Sequence, residues 1–160
     1  MMTRQGDRVE EIFKHLKADK LPFKIDPSKL NELGLDIAEE LIRIFKGINM
    51  SPALKWCLST IKKAKVFTVI YQANERGLPI YKEEIAKKLT EYSYKTIASI
   101  VDDGIDKGFY VPLDPYVNAK EKIIDKKVKN IRPSIELISS FYNWNIDRIV
   151  AVSEIIKKHK

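Results

Sequence analysis

The chain has 160 residues and a mass of 18.5 kDa, the size of one ordinary domain with room for one sizeable core. Hydrophobic residues make up 44% and charged residues 32%, which excludes a disordered tail and a membrane protein. Lysine and arginine total 29 against 22 acidic residues, a net charge of +7, so an anionic partner is favoured and nucleic acid is the first to consider. The single Cys57 cannot form an internal disulfide, and His15 and His159 lie at opposite ends, so no zinc-ligand spacing exists. No stretch approaches the roughly 18 apolar residues of a membrane span, and the N-terminus has no apolar run after its basic residues. A soluble, cytoplasmic protein without metal or cofactor is the expectation.

From the N-terminus, Asp7 and Glu10 have the spacing of a capping box, and Val9, Ile12, Phe13 and Leu16 form one apolar face, predicting a helix over about 8–19. Asp26-Pro27 supplies a cap and a proline at the first helical position. Leu30, Leu33, Ile37, Leu41, Ile44 and Ile48 then step by three and four towards Gly47. Ser51-Pro52 repeats the start signal for a helical stretch that runs to Arg76-Gly77. Shorter pieces follow: a brief strand at Pro79–Tyr81, a helix over Lys82–Leu89, a turn at Thr90–Tyr92, and a helix capped by Ser93 that ends at Lys107 and Gly108. Phe109–Val111 and Lys127–Ile131 pair as a hairpin across a proline-containing loop. From Pro133 the pattern is helical, with Ile135, Ile138, Tyr142, Asn145, Ile149, Val152 and Ile156 forming a heptad seam. That seam wants a partner helix, in the same chain or across a dimer. Asn143-Trp144-Asn145 is a possible break.

Helix, short helix, turn, helix and hairpin, over about Ala64 to Ile131, is the order of a winged helix-turn-helix, in which the second helix of the pair enters the major groove and the wing reaches the flanking backbone. The run from Ser93 to Phe109 carries Ser-x-x-Thr-apolar-x-x-apolar-Val-Asp and ends in Lys-Gly-apolar. It resembles the recognition helix of MarR-type regulators. Ile80–Leu89 is similar to that family's supporting helix, and Asp125–Ser134 to its second wing strand and the turn that follows. There are three departures from the pattern: Gly104 replaces a leucine, Asp103 a frequent basic residue, and the pair Lys126 and Lys127 an expected arginine. The resemblance implies a mostly α protein with a small β-hairpin, a single domain over 1–160. Residues 64–132 would be the winged DNA-binding unit, with 1–63 and 133–160 as helical dimerisation regions.

The expected DNA contacts are Ser93, Tyr94, Lys95, Thr96 and Ser99 on the early, outward part of the helix, where backbone donors and hydroxyls suit phosphate and base edges. Lys120, Lys122, Lys126, Lys127 and Lys129 are the wing contacts. Lys62, Lys63 and Lys65 cluster just before; they could clamp backbone phosphates, although a solvated helix face is the safer reading. Residues 51–80 carry five basic side chains and one acidic, whereas 93–108 has two lysines against three aspartates, so the positive field flanks the reading helix. No glycine-rich phosphate loop, nucleophile elbow or converging carboxylate pair supports an enzyme. The expected function is a transcriptional regulator that binds double-stranded DNA at promoters as a homodimer. The alternative is a winged-helix module that docks a protein, favoured by Asp102, Asp103 and Asp106. An effector molecule is not legible in the chain.

Overall fold

The structure, a computed structural model, describes residues 2–47, 49–113 and 130–160. Among them the chain is mostly helical with one two-stranded antiparallel hairpin. In order the elements are α1 (Met2–His15), α2 (Leu30–Phe45), α3 (Pro52–Cys57), α4 (Ile61–Glu75), α5 (Lys82–Lys88), α6 (Tyr94–Asp106), β1 (Tyr110–Leu113), β2 (Asn130–Pro133) and α7 (Ile135–His159). Single 3-10 turns occur at Ala18–Lys20 and Pro27–Lys29. No helix among the described residues is long and apolar enough to cross a membrane. Packing divides the chain into two compact units, Met50–Asn143 and a second made of Met1–Asn49 with Trp144–Lys160. The boundary falls at the Asn143–Asn145 segment, yet α7 is one helix and the predicted break does not occur.

In the unit Met50–Asn143 the helix starts are set by side-chain caps. Ser51, Thr60 and Ser93 each accept a hydrogen bond from the backbone N–H three residues on, at 3.1, 3.2 and 3.1 Å. The cap at Thr60 corrects the single helix expected over 52–76: the chain leaves α3 at Leu58 and restarts at Ile61. Both α4 and α6 end in a left-handed glycine, Gly77 at φ 66° and Gly108 at φ 76°, and the residue after it donates back to the carbonyl of Ala73 or Gly104 at 2.9 Å. The buried core is Ala53, Leu54 and Cys57 of α3, Val66, Phe67 and Ile70 of α4, with Ile80, Ile85, Leu89, Ile97, Val101, Tyr110, Ile131 and Leu137.

The hairpin pairs Tyr110 with Pro133 and Leu113 with Asn130. Of the residues 127–131 expected as the second strand, Asn130 and Ile131 stand in β2, and the first three lie outside the described residues. Pro79–Tyr81 forms no strand. Ile80 accepts from the Ile131 N–H at 2.9 Å, but its own N–H goes to the Asn130 side-chain oxygen at 3.1 Å instead of a backbone carbonyl, so no ladder develops. Asn130 is buried by this bond and ties the hairpin to the chain before α5.

Tyr110 is the other tie. Its ring lies over Gly104 and edge-on to Trp56, with ring centroids 6.0 Å apart, and its hydroxyl is 3.8 Å from the Cys57 sulfur. Burial pushes the Cys57 thiol up to about 11 and the Tyr110 hydroxyl well above its usual range, so both are uncharged at neutral pH.

In the other unit α1 begins at Met2, which places Asp7 inside the helix and removes the expected capping box at the start. Asp26 does cap, accepting from Ser28 N–H at 3.1 Å, but over a 3-10 turn that precedes α2. Asp36 on α2 holds the C-terminal end of α7: it accepts from Lys158 Nζ at 3.0 Å and lies 2.7 Å from His159 Nε2. The His159 hydrogen bond, then that of Lys158, keeps the Asp36 carboxyl below its ordinary value. Phe23 stacks on the His159 ring. Leu33 is the one buried hydrophobic side chain among the described residues of this unit.

A Cβ at Gly104 would lie 2.3 and 2.7 Å from two atoms of the Tyr110 ring and 3.2 Å from Trp56. Gly104→Ala should therefore lower stability by about 1–3 kcal/mol through overpacking, outweighing the roughly 1 kcal/mol that alanine adds to helix propensity. Urea denaturation measures this, and the loss should shrink in the double variant with Tyr110→Leu.

Candidate nucleic-acid interface

Lys95, Thr96 and Ser99 of α6 line a cleft of about 380 Å³ whose other wall is Thr60, Lys62 and Lys63 at the start of α4, with Ile100 behind. Three lysines and three hydroxyl residues line it with no acidic residue among them. The helix starts add to this, since α4 and α6 both begin here and their first N–H groups carry partial positive charge. The cleft suits a phosphate or another compact polyoxyanion.

The local folding that builds this wall is legible residue by residue. Ile97, Val101 and Gly104 bury one side of α6, which leaves Lys95 and Ser99 exposed on another. Val66, Phe67 and Ile70 bury α4 and leave Lys62 outward. Lys63 Nζ lies over the Trp56 ring at 4.7 Å and donates to Ser59 Oγ at 3.4 Å, which holds this lysine against α3 beside the cleft.

The remaining predicted contacts are dispersed. Ser93 is engaged as the cap of α6, with its hydroxyl also 3.0 Å from that of Thr96. Tyr94 donates to Glu83 on α5 at 3.3 Å and is not part of the cleft. The wing lysines Lys120, Lys122, Lys126, Lys127 and Lys129 lie outside the described residues. Lys65 turns away from the cleft to pair with Glu91 at 2.8 Å beside the Tyr92 ring. That hydrogen bond raises the Lys65 pKa and lowers that of Glu91.

Lys62 and Lys63 line the cleft, the less favoured of the two readings the sequence leaves for them, because the restart at Thr60 places them in the first turn of α4. Thr60 itself was missed. Its signal was the Ser59-Thr60 pair inside an otherwise helical run, which is a cap signature.

The acidic second half of α6 is largely engaged within the same unit. Asp102 pairs with Lys82 on α5, and Asp103 with Lys107 one turn on at 3.2 Å. Asp106 is exposed. Comparison with protein-family models, with curated proteins and with solved structures finds no match to this chain.

Cap and cleft separate by substitution. Ser93→Ala removes a hydrogen bond that starts α6 and should cost about 1 kcal/mol in thermal or urea unfolding. Ser99→Ala, exposed and in the cleft, should leave stability within about 0.5 kcal/mol. Equal losses for the two would contradict the assignment of Ser93 as cap and Ser99 as free to bind.

Proposed function

We propose that this chain is a DNA-binding transcriptional regulator of the winged helix-turn-helix type, similar to the MarR regulators, that acts as a homodimer on promoter DNA. The observation that carries the reading is the carboxylate-free cleft in which Lys95, Thr96 and Ser99 of α6 meet Lys62 and Lys63 of α4. On this reading α6 enters the major groove with its N-terminal turn foremost. Lys95 and the hydroxyls of Thr96 and Ser99 meet base edges or phosphate, and Lys62 and Lys63 hold the backbone beside them. The order α4, α5, α6, β1, β2 supports it, as does the bond from Asn130 to Ile80, which braces the base of the hairpin. The wing lysines would extend the phosphate contacts along the flanking backbone.

The competing reading, a winged-helix module that docks a basic protein surface, leans on Asp102, Asp103 and Asp106. Two of those three are already neutralised by Lys82 and Lys107, which weakens the attraction such a partner would feel. A cytoplasmic location goes with this reading.

Selection from a random duplex pool, followed by titration of the selected duplex over a range of salt, tests the proposal. Binding should weaken steeply with salt, and Lys95→Ala or Lys63→Ala should each reduce the slope of log K against log salt by about 1. Neutralising Lys126 and Lys127 together should weaken binding across all sequences. Binding that is absent or insensitive to salt would overturn the regulator and favour protein docking.

A further inference from the structure

We propose that Tyr92, in the turn between α5 and α6, is a positioning residue of the cleft: its ring seats Lys62 and leaves the charge of that lysine available to phosphate. This deepens the DNA-binding reading above and rests on it. Lys62 Nζ lies over the Tyr92 ring, 5.8 Å from its centroid, and the lysine has no carboxylate partner among the described residues. The other α4 lysine of the cleft is held in the same way, Lys63 over the Trp56 ring at 4.7 Å. Lysines of the same unit that stand outside the cleft are held differently. Lys65 is paired with Glu91, Lys82 with Asp102 and Lys107 with Asp103.

The two kinds of partner have different consequences. A carboxylate fixes an ammonium group by cancelling its charge, whereas a ring face attracts the group through its quadrupole and carries no net charge. A long side chain that must meet an anion gains from being ordered beforehand, and an aromatic seat orders it with its charge intact. Tyr92 shows the contrast on one ring. Lys65 Nζ is also over it, 5.5 Å from the centroid, but Glu91 at 2.8 Å answers that charge. Of the two lysines beside Tyr92, the one left unanswered is the one that lines the cleft. Tyr92 is itself fixed: it is half-buried, its backbone N–H donates to the Leu89 carbonyl at 3.1 Å, and Ser93, the cap of α6, follows it directly. The seat thereby ties Lys62 of α4 to the start of the helix that carries Lys95, Thr96 and Ser99.

Trp56 also packs on Tyr110, so the test is made at Tyr92, in the full chain. With the duplex selected from the random pool, at fixed salt, Tyr92→Leu should weaken binding about threefold, the size of one exposed cation–π contact. Tyr92→Phe keeps the ring and should bind like the unaltered chain. In the Lys62→Ala background Tyr92→Leu should have no further effect, whereas in the Lys65→Ala background its effect should persist. Without DNA, the ε-methylene protons of Lys62 should be displaced upfield by the ring, a displacement that Tyr92→Leu removes and Tyr92→Phe retains. A loss of affinity that Tyr92→Phe shares, or that persists in full on Lys62→Ala, would overturn the seat and leave the DNA reading in place. Lys62 protons indifferent to Tyr92 would do the same. A chain that binds no duplex would overturn the DNA reading, and this use of the seat with it, even where the ring displaces the Lys62 protons.

Discussion

The contact on which the unit Met50–Asn143 depends is that of the Tyr110 ring with Gly104. The ring of a tyrosine at the start of β1 can approach α6 this closely only where α6 has no side chain, and Gly104 is that place. The ring is then enclosed by Trp56 and reaches Cys57, so one residue fastens the hairpin to α6 and to α3. Asn130 makes the corresponding tie on the other strand, through the backbone of Ile80. With its last turn held against Tyr110, α6 has its first turn left over for solvent, and that is where Lys95, Thr96 and Ser99 stand.

The cleft follows from this arrangement and from one interruption. Had the chain run unbroken from Pro52 to Glu75, Lys62 and Lys63 would have been mid-helix residues with no relation to a terminus. The Thr60 cap makes them the first turn of α4 and brings their charge to α6. Lys65, one further position along, is lost to Glu91. Lys62 and Lys63 thereby stand beside the Lys95 end of α6, and Asp102 and Asp103 farther along it are answered by Lys82 and Lys107. An anionic polymer meeting this surface would find cations at the helix start and paired charges farther along.

Much of the fold was legible because its signals are local. Ser93 as a cap, Gly77 and Gly108 as stops, and the apolar spacing of Ile97, Ile100 and Val101 each rest on neighbours a few positions away, and the limits of α5 and α6 follow from them. What was illegible depends on distant partners. The Ile80 segment reads as a strand from its β-branched and aromatic residues, yet whether a strand forms is decided by Asn130, fifty residues on. Gly104 reads as a missing leucine until Tyr110 is seen to occupy the space. In the candidate site, residue type and helix position sufficed for Lys95, Thr96 and Ser99. Ser93 and Tyr94 share the same stretch and chemistry but are spent on the cap and on Glu83, which only the geometry distinguishes.

The central claim is that the first turns of α4 and α6 together form the surface that meets DNA. Its most direct test is to follow backbone amide resonances of the protein as a selected duplex is added. The account predicts that the largest changes fall at Thr60–Lys63 and Lys95–Ser99, with residues of the wing following and the amides of Asp102–Asp106 least affected within α6. Changes centred on Asp102–Asp106, or none in α6 at all, would contradict it.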